Sequence, residues 1–170
     1  MQFTDRMKPM GNLKRYFEEN AAYFVTTATK DRAPLFRDRK LCHILLVTIE
    51  YHKTVFDYKV YGYCLMPDHL HAIFHPKGKF NLSFIMKMIK GSFARKINKL
   101  NGEEGSLWQR RFYDEVILSE KQLLAQLEYT HQNPVSAGLA KAAGDYPFSS
   151  FNQYHKRADP ENQLLQIDPL

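Results

Sequence analysis

The sequence predicts an α+β fold of the ferredoxin-like type, an antiparallel sheet built in the order β-α-β-β-α-β, with helices on one face and one added C-terminal helix. Three observations lead to this prediction. Short segments rich in β-branched and aromatic residues alternate with two longer segments of helical periodicity. A proline-containing turn at residues 66–68 joins the two central strands, and Ser119 is a good N-cap for a further helix after the fourth strand.

Four segments have the composition of strands. The first covers residues 23–29, and the fourth covers residues 112–118. The second covers residues 55–65 and alternates, with several tyrosines. It is followed by the turn and by residues 69–75, so the second and third strands are predicted to form a hairpin.

Three segments have helical character. Residues 39–53 and 82–100 repeat their apolar positions with helical spacing, which predicts two helices that each bury one stripe. The third helix is predicted from Ser119 to about Gln132, because Asn133-Pro134 should end or bend it.

The predicted organisation is one domain with two terminal extensions. Residues 1–22 are mixed and charged and are interpreted as an N-terminal arm, residues 23–150 as the domain, and residues 151–170 as a C-terminal tail. The apolar positions at 164–167 suggest that the tail docks on the domain. Without a signal-like N-terminus or an apolar run long enough to span a bilayer, a cytoplasmic protein is expected, with no membrane partner.

Composition excludes one class of protein and favours one class of partner. Apolar residues make up 44% of the 170-residue chain, which excludes a disordered protein. There are 24 basic and 18 acidic residues, giving a net charge of +6 that favours a polyanionic partner. Cys42 and Cys64 have neither metal-like nor disulfide-framework spacing, so both are expected to be buried free thiols.

The first candidate site is a pair of histidines on the third predicted strand. Because side chains alternate along a strand, His69 and His71 project from the same face and could chelate one divalent cation. The alternative is a solvent-facing or hydrogen-bonded pair that binds no metal, since this spacing also arises by accident. His75 shares the face, but strand geometry places it about 13 Å from His71, too far for a shared ion.

The second candidate site lies on the third helix. Tyr129 and Asn133 are four residues apart and therefore share a helix face. A tyrosine hydroxyl can attack phosphorus and form a covalent phosphotyrosine, and the Asn133 carboxamide could supply a third metal ligand. The alternative places Tyr129 in an aromatic core and leaves Asn133 as a helix-ending residue.

A basic and aromatic set of residues could contact nucleic acid through phosphates or unpaired bases. Its members are Lys90 and Arg95 on the second helix and Trp108, Arg110 and Arg111 before the fourth strand. The alternative is a solvated helix face and a buried tryptophan.

Several separated motifs resemble one known family, the single-tyrosine HUH transposases. Residues 62–71, which end in His69-Leu70-His71, look like the family's HUH signature. Residues 107–114 resemble the segment before its last strand. Residues 129–139 are similar to the REP-associated branch, the RAYT proteins, and the likeness spans roughly residues 15 to 150.

The resemblance implies a mechanism and assigns roles within it. Tyr129 would attack a DNA phosphate, form a 5′-phosphotyrosyl link and release a 3′-hydroxyl, while His69 and His71 hold Mg²⁺ or Mn²⁺. Insertion-sequence members have glutamine where this chain has Asn133, which puts direct coordination there in doubt. The substrate would be a hairpin in single-stranded DNA, such as a REP element. Family members are monomers or dimers, and the segment at residues 133–135 favours a monomer.

Two other functions remain open from the residues. A ferredoxin-like fold could bind single-stranded DNA or structured RNA without chemistry. A hydrolase could instead use the histidine pair to activate water, and it would form no covalent adduct.

Overall fold

The computed structural model describes residues 20–157 and 164–170. It contains a four-stranded sheet in the order β2-β3-β1-β4, in which every neighbouring pair is antiparallel. The strands are β1, Ala22–Ala28, β2, Tyr58–Met66, β3, His69–Pro76, and β4, Tyr113–Ile117. This arrangement confirms the predicted ferredoxin-like α+β fold.

Two long helices and two later ones complete the fold. They are α1, Arg39–Phe56, α2, Leu82–Asn101, α3, Glu120–Ser136, and α4, Phe151–Tyr154. The first two cover one face of the sheet, and α3 crosses the other. None of the helices in the described residues is long and apolar enough to span a membrane.

The first helix is longer than its sequence pattern predicted. Its start is capped by Asp38, whose carboxylate accepts a hydrogen bond from the Lys40 amide at 2.8 Å. It continues through Phe56, and β2 begins only at Tyr58, so the predicted strand start at residue 55 was wrong. The Phe56 ring packs on Phe80 at 5.2 Å, and this tertiary contact outweighs a local preference for strand.

The third helix also passes its predicted end. It runs to Ser136 with Pro134 in its last turn, so Asn133-Pro134 does not terminate it. Proline in the final turn removes one intrahelical hydrogen bond, and the helix ends two residues later at Ser136, shortly before Gly138, whose φ is 70°. Pro134 is buried, which offsets that loss.

The two faces of the sheet bury cores of different size. On the α1/α2 face, alternate strand residues join the helices in one large cluster that includes Val25, Phe74 and Phe93. The α3 face has a smaller cluster, whose members are Ala22, Phe24, Tyr61, Ile73, Ile117 and Leu127. Cys42 and Cys64 are buried free thiols, as predicted.

The C-terminal tail docks on the domain, as the apolar positions at 164–167 suggested. Leu165 is fully buried, and the Asp168 amide donates to the Val60 carbonyl at 2.8 Å. The Asp168 carboxylate accepts from the Val60 amide at 2.9 Å. These contacts pair the tail with β2, an edge strand. Most of the predicted N-terminal arm, residues 1–22, lies outside the described residues, and β1 begins at Ala22.

Candidate active site

The β2–β3 hairpin brings the two histidines of the HUH motif together. Met66 pairs with His69, and the turn between them consists of Pro67 and Asp68. His69 and His71 are on the same face of β3, and their Nε2 atoms are 3.1 Å apart. Regular strand alternation is sufficient to aim both imidazoles at one point.

Each imidazole has a partner on its other ring nitrogen. The Asp68 Oδ1 atom lies 2.5 Å from His69 Nδ1, and Thr26 Oγ1 on β1 lies 2.8 Å from His71 Nδ1. Arg32 forms an ion pair with the second Asp68 oxygen at 2.9 Å. Partners of this kind orient metal-binding histidines and set the nitrogen that is presented to the ion.

Burial keeps His71 neutral. It is buried beneath α3, with its ring stacked on Phe24 at 5.5 Å. Burial and, to a smaller extent, the charges of His69 and Arg32 together lower the pKa of His71 to about 3. An imidazole must be neutral to bind a metal ion, so His71 is in the required form at neutral pH.

The tyrosine of α3 stands directly above this pair. The Tyr129 ring centroid is 5.5 Å from that of His71 and 5.7 Å from that of Phe24. Its side chain is 49% exposed, so the hydroxyl is open to a ligand from solvent. In this structure, Tyr129 and the two histidines are residues of one chain.

Close packing seats α3 on its own sheet. A Cβ at Gly62 would overlap Leu127 Cδ2, so glycine lets the helix approach β2 closely. Two residues beyond Tyr129, the buried His131 makes a 2.9 Å hydrogen bond between its Nε2 and Ser150 Oγ. Burial and, to a smaller extent, His155 lower the pKa of His131 to about 4.

Asn133 is one helical turn beyond Tyr129 and half-buried. It lies on the same side of α3 as Tyr129, as the spacing of four residues predicts. Direct metal binding by Asn133 stays a prediction.

The spacing of the two imidazoles fits a divalent cation. Two nitrogen ligands at about 2.1 Å and at right angles to each other would be about 3.0 Å apart, close to the observed 3.1 Å. Among the described residues, no group of three or more His, Cys, Asp or Glu side chains could enclose a metal ion. The pair therefore fits an ion that takes its remaining ligands from substrate phosphate and water, as Mg²⁺ commonly does.

Trp108 does not belong to a DNA-binding surface, contrary to the prediction. It is only 4% exposed and packs against Phe36 and Phe93, with ring centroids 5.7 and 5.5 Å away. An indole enclosed in this way cannot stack on a base, and the buried alternative is correct. Its burial holds the segment before β4 against the end of β1, where Gln109 donates to Ala28.

The four predicted basic contacts fall into two groups. Arg110 and Arg111 are exposed and follow the segment that pairs with the end of β1, the end at which Ala28 faces His69. Lys90 and Arg95 are on α2, behind the sheet. The Lys90 ammonium donates to the Gln109 carbonyl at 2.7 Å, so it ties α2 to that segment. DNA binding by these four residues stays a prediction.

Four residues that no sequence motif singled out lie at the site. They are Thr26, Arg32 and Asp68, which surround the histidines, and Tyr113 on β4. Tyr113 is 42% exposed, packs its edge on Phe24, and donates to Glu115 at 3.1 Å. Asp68 could have been noticed next to the HUH motif, whereas Thr26 becomes visible only when the pairing of β1 with β3 is known.

A ferredoxin-like sheet that presents two convergent imidazoles beneath a helical tyrosine defines a class of protein, the tyrosine-dependent transposases. The model of the transposase IS200-like family matches residues 18–133, which is more than half of the chain. The chain belongs to this family, as its motifs indicated.

Relatives agree with this assignment. A Haemophilus influenzae protein that is provisionally named a REP-associated tyrosine transposase is 28% identical over 156 residues, covering 85% of this chain and 87% of that protein. The Escherichia coli REP-associated tyrosine transposase is 24% identical over 147 residues, covering 85% and 84%. A solved REP-associated tyrosine transposase bound to a REP hairpin has the same fold, with a TM-score of 0.72, 24% identity and 87% of each chain covered.

Proposed function

We propose that this transposase cleaves and rejoins single-stranded DNA next to a hairpin, through a covalent 5′-phosphotyrosine on Tyr129. The observation that carries the proposal is the position of the Tyr129 ring, 5.5 Å from His71 and half exposed. A non-catalytic binding module has no need for a tyrosine above two convergent imidazoles. The family contributes the reaction class.

The chemistry is a transesterification. The Tyr129 oxygen forms a bond to phosphorus while the bond from phosphorus to the 3′ oxygen breaks. The phenolic proton passes to solvent, and the departing 3′ oxygen takes up a proton to become a hydroxyl. Attack by a 3′-hydroxyl on the phosphotyrosine reverses these steps and rejoins DNA.

His69 and His71 would hold Mg²⁺ or Mn²⁺, and Asn133 is a further candidate ligand. When bound, such an ion supplies Lewis-acid polarisation of the scissile phosphate. The 3.1 Å separation of the two Nε2 atoms and the neutral state of His71 support this assignment.

The relatives and the positive charge of the chain both support hairpin DNA as the substrate. Two relatives are REP-associated tyrosine transposases by name, and a solved REP-associated tyrosine transposase with this fold is bound to a REP hairpin. A net charge of +6 suits a polyanion. Exposed Arg110 and Arg111, at the end of the sheet that carries His69, are well placed to contact phosphates. A cytoplasmic location stays a prediction from the sequence.

We infer that Tyr129 serves the histidines of its own chain, so that a monomer can complete the reaction. The seating of α3 supports this inference, because Leu127 packs into the space above Gly62 and His131 bonds to Ser150.

The decisive experiment incubates the protein with Mg²⁺ or Mn²⁺ and labelled single-stranded hairpin DNA and resolves the products on a denaturing gel. Tyr129→Phe and His69→Ala should both lose the slowly migrating covalent adduct. Tyr51→Phe is a matched control, since Tyr51 is an exposed tyrosine on α1, behind the sheet. Cleavage without an adduct that survives Tyr129→Phe would instead indicate hydrolysis, and binding without cleavage would indicate a binding module.

Mixing Tyr129→Phe with His69→Ala tests whether the site is complete in one chain. If the tyrosine acts on its own histidines, neither inactive variant can rescue the other, and the mixture stays inactive. Recovery of part of the activity would show that the tyrosine acts on a partner's histidines.

A further inference from the structure

The two imidazoles of the candidate site are linked into a chain of hydrogen bonds. It runs from Asp68 to His69 at 2.5 Å, from His69 to His71 at 3.1 Å, and from His71 to Thr26 at 2.8 Å. Each link needs one donor and one acceptor. The chain therefore determines which nitrogen of each ring carries a proton.

Asp68 determines the proton position on His69. An ionised carboxylate only accepts hydrogen bonds, so the His69 Nδ1 atom must be the donor. In a neutral imidazole this leaves Nε2 with its lone pair pointing at His71. That is the form that a metal ligand requires.

Thr26 determines which ring nitrogen of His71 can carry the proton. Two lone pairs cannot face each other at 3.1 Å, so in the absence of a cation His71 must donate from Nε2 to His69. Its bare Nδ1 then accepts from the Thr26 hydroxyl. When both Nε2 lone pairs are needed for a cation, the proton of His71 must be on Nδ1, and Thr26 Oγ1 becomes the acceptor. Only a group that both donates and accepts serves both forms.

We propose that Asp68 and Thr26 are positioning residues that set the tautomers of the histidine pair, with Asp68 holding His69 ready for a cation and Thr26 permitting His71 to change. The proposal rests on the metal role given to the pair under the proposed function. Neither residue touches the reacting atoms.

Arg32 acts through Asp68 and is held there by its loop. Asp31 and Arg32 both have left-handed backbone conformations, with φ of 53° and 56°, which a residue with a side chain adopts only under constraint. The constraint comes from the turn itself, because the Thr29 hydroxyl donates across it to the Ala33 carbonyl at 2.7 Å, while the Thr29 amide donates to the Asp68 carbonyl at 2.9 Å. The loop therefore directs the guanidinium at the Asp68 oxygen that His69 does not use.

The tautomers are measured directly by nitrogen NMR on the full chain labelled with ¹⁵N-histidine. His69→Gln and His71→Gln assign the two residues among the seven histidines. Without metal, His69 should carry its proton on Nδ1 and His71 on Nε2, and saturating Mg²⁺ should move the His71 proton to Nδ1. In Asp68→Ala, His69 should lose its preference for Nδ1–H. A wild-type His69 protonated on Nε2, or one unaffected by Asp68→Ala, overturns the role of Asp68.

Mn²⁺ affinity, measured by calorimetry without DNA, tests Thr26. Thr26→Val keeps the shape but removes the hydroxyl, and it should weaken Mn²⁺ binding by about 10- to 100-fold, the usual effect of losing such a partner. Thr26→Ser restores the hydroxyl and should bind within about 3-fold of wild type. Thr48→Val is the control, because the Thr48 hydroxyl donates to Ile44 on α1, away from the site. Equal affinity of Thr26→Val and wild type would overturn the role of Thr26.

The same measurement tests whether Arg32 affects the histidines only through its ion pair with Asp68. Asp68→Ala should weaken binding by about 10- to 100-fold. Asp68→Asn should weaken it less, since an amide oxygen still accepts from Nδ1. Adding Arg32→Ala to Asp68→Ala should cause no further loss of Mn²⁺ affinity. Additive losses would show that Arg32 acts independently of Asp68. Arg37→Ala, in the same loop and exposed, should bind like wild type.

This proposal and the proposed function fail in different ways. Wild-type protein that binds no Mn²⁺ and forms no adduct would refute the metal-dependent transesterification. The metal-free NMR measurement would still decide whether Asp68 and Thr26 set the tautomers. Thermal melts of each variant exclude loss of fold as the cause of a changed affinity.

Discussion

The two faces of the sheet differ in what they bury and in what they leave open. The α1/α2 face is closed over a large apolar cluster in which Phe93, Phe74 and Leu45 are fully buried. The α3 face has a small cluster, and beside it lie two histidines and two half-exposed tyrosines, Tyr113 and Tyr129. Stability comes mainly from the first face, because buried apolar area dominates folding, while the second face can hold polar groups. Substitutions on the two faces should therefore separate stability from activity.

The largest expected effect is a loss of stability without a loss of chemistry. Phe93→Ala removes a fully buried ring from between Phe36 and Trp108 and should reduce the free energy of unfolding by about 3–5 kcal/mol. Denaturant unfolding measures the loss. If Phe93→Ala fails to fold, Phe93→Leu should fold with a smaller loss. In either variant, the rate of adduct formation per folded molecule should stay within about 3-fold of wild type. A loss of that rate beyond the loss of folded protein would show that the α1/α2 face also affects activity.

Gly62→Ala should damage the opposite face. Its Cβ would overlap Leu127 and push α3, with Tyr129, away from the sheet. We expect a destabilisation of about 1–3 kcal/mol, as for overpacking generally. Adduct formation should fall by more than the increase in unfolded protein explains. Unfolding curves and single-turnover gels give the two quantities. Leu127→Ala in the same chain should recover part of the activity, because it removes the overlapping methyl groups.

Acid should loosen the α3 face through His131. The pKa of His131 is about 4 in the folded protein and about 6.5 in an unfolded chain, so the unfolded state binds more protons between these values. Stability is therefore fully present above about pH 6.5 and falls as pH decreases towards 4, by roughly 2 kcal/mol between pH 7.5 and 5 from this residue. His71, whose pKa is also lowered, adds to the slope. Unfolding measured across this range should show a shallower dependence in His131→Gln, and an unchanged slope would contradict the assignment.

The smallest expected effect is a gain on the α1/α2 face. Gly91 is within α2, and a Cβ there would meet only the tip of the flexible Arg95 side chain, 3.3 Å away. Gly91→Ala should raise the free energy of unfolding by up to about 1 kcal/mol, because alanine favours the helix. Adduct formation should not change. A loss of stability would mean that the Arg95 side chain cannot move aside.

The sequence predicted most of the fold because its signals are local. Alternation in β3 was sufficient to put His69 and His71 on one face, and the apolar stripe of α2 was correctly located. The errors arose where local preference met tertiary packing. Phe56 and Pro134 both lie inside helices that their own preferences would have ended, because each is packed against other elements.

By itself, the sequence determined the order of the elements and the family through its separated motifs, and it singled out Tyr129 and the pair His69 and His71 as the candidate site. Only the tertiary structure decided that Trp108 is enclosed by Phe36 and Phe93, that the Tyr129 ring packs against His71, and that Thr26, Arg32 and Asp68 surround the histidine pair. The physical reason is distance along the chain. Thr26 and His71 are 45 residues apart and meet only through the pairing of β1 with β3, which no local pattern specifies.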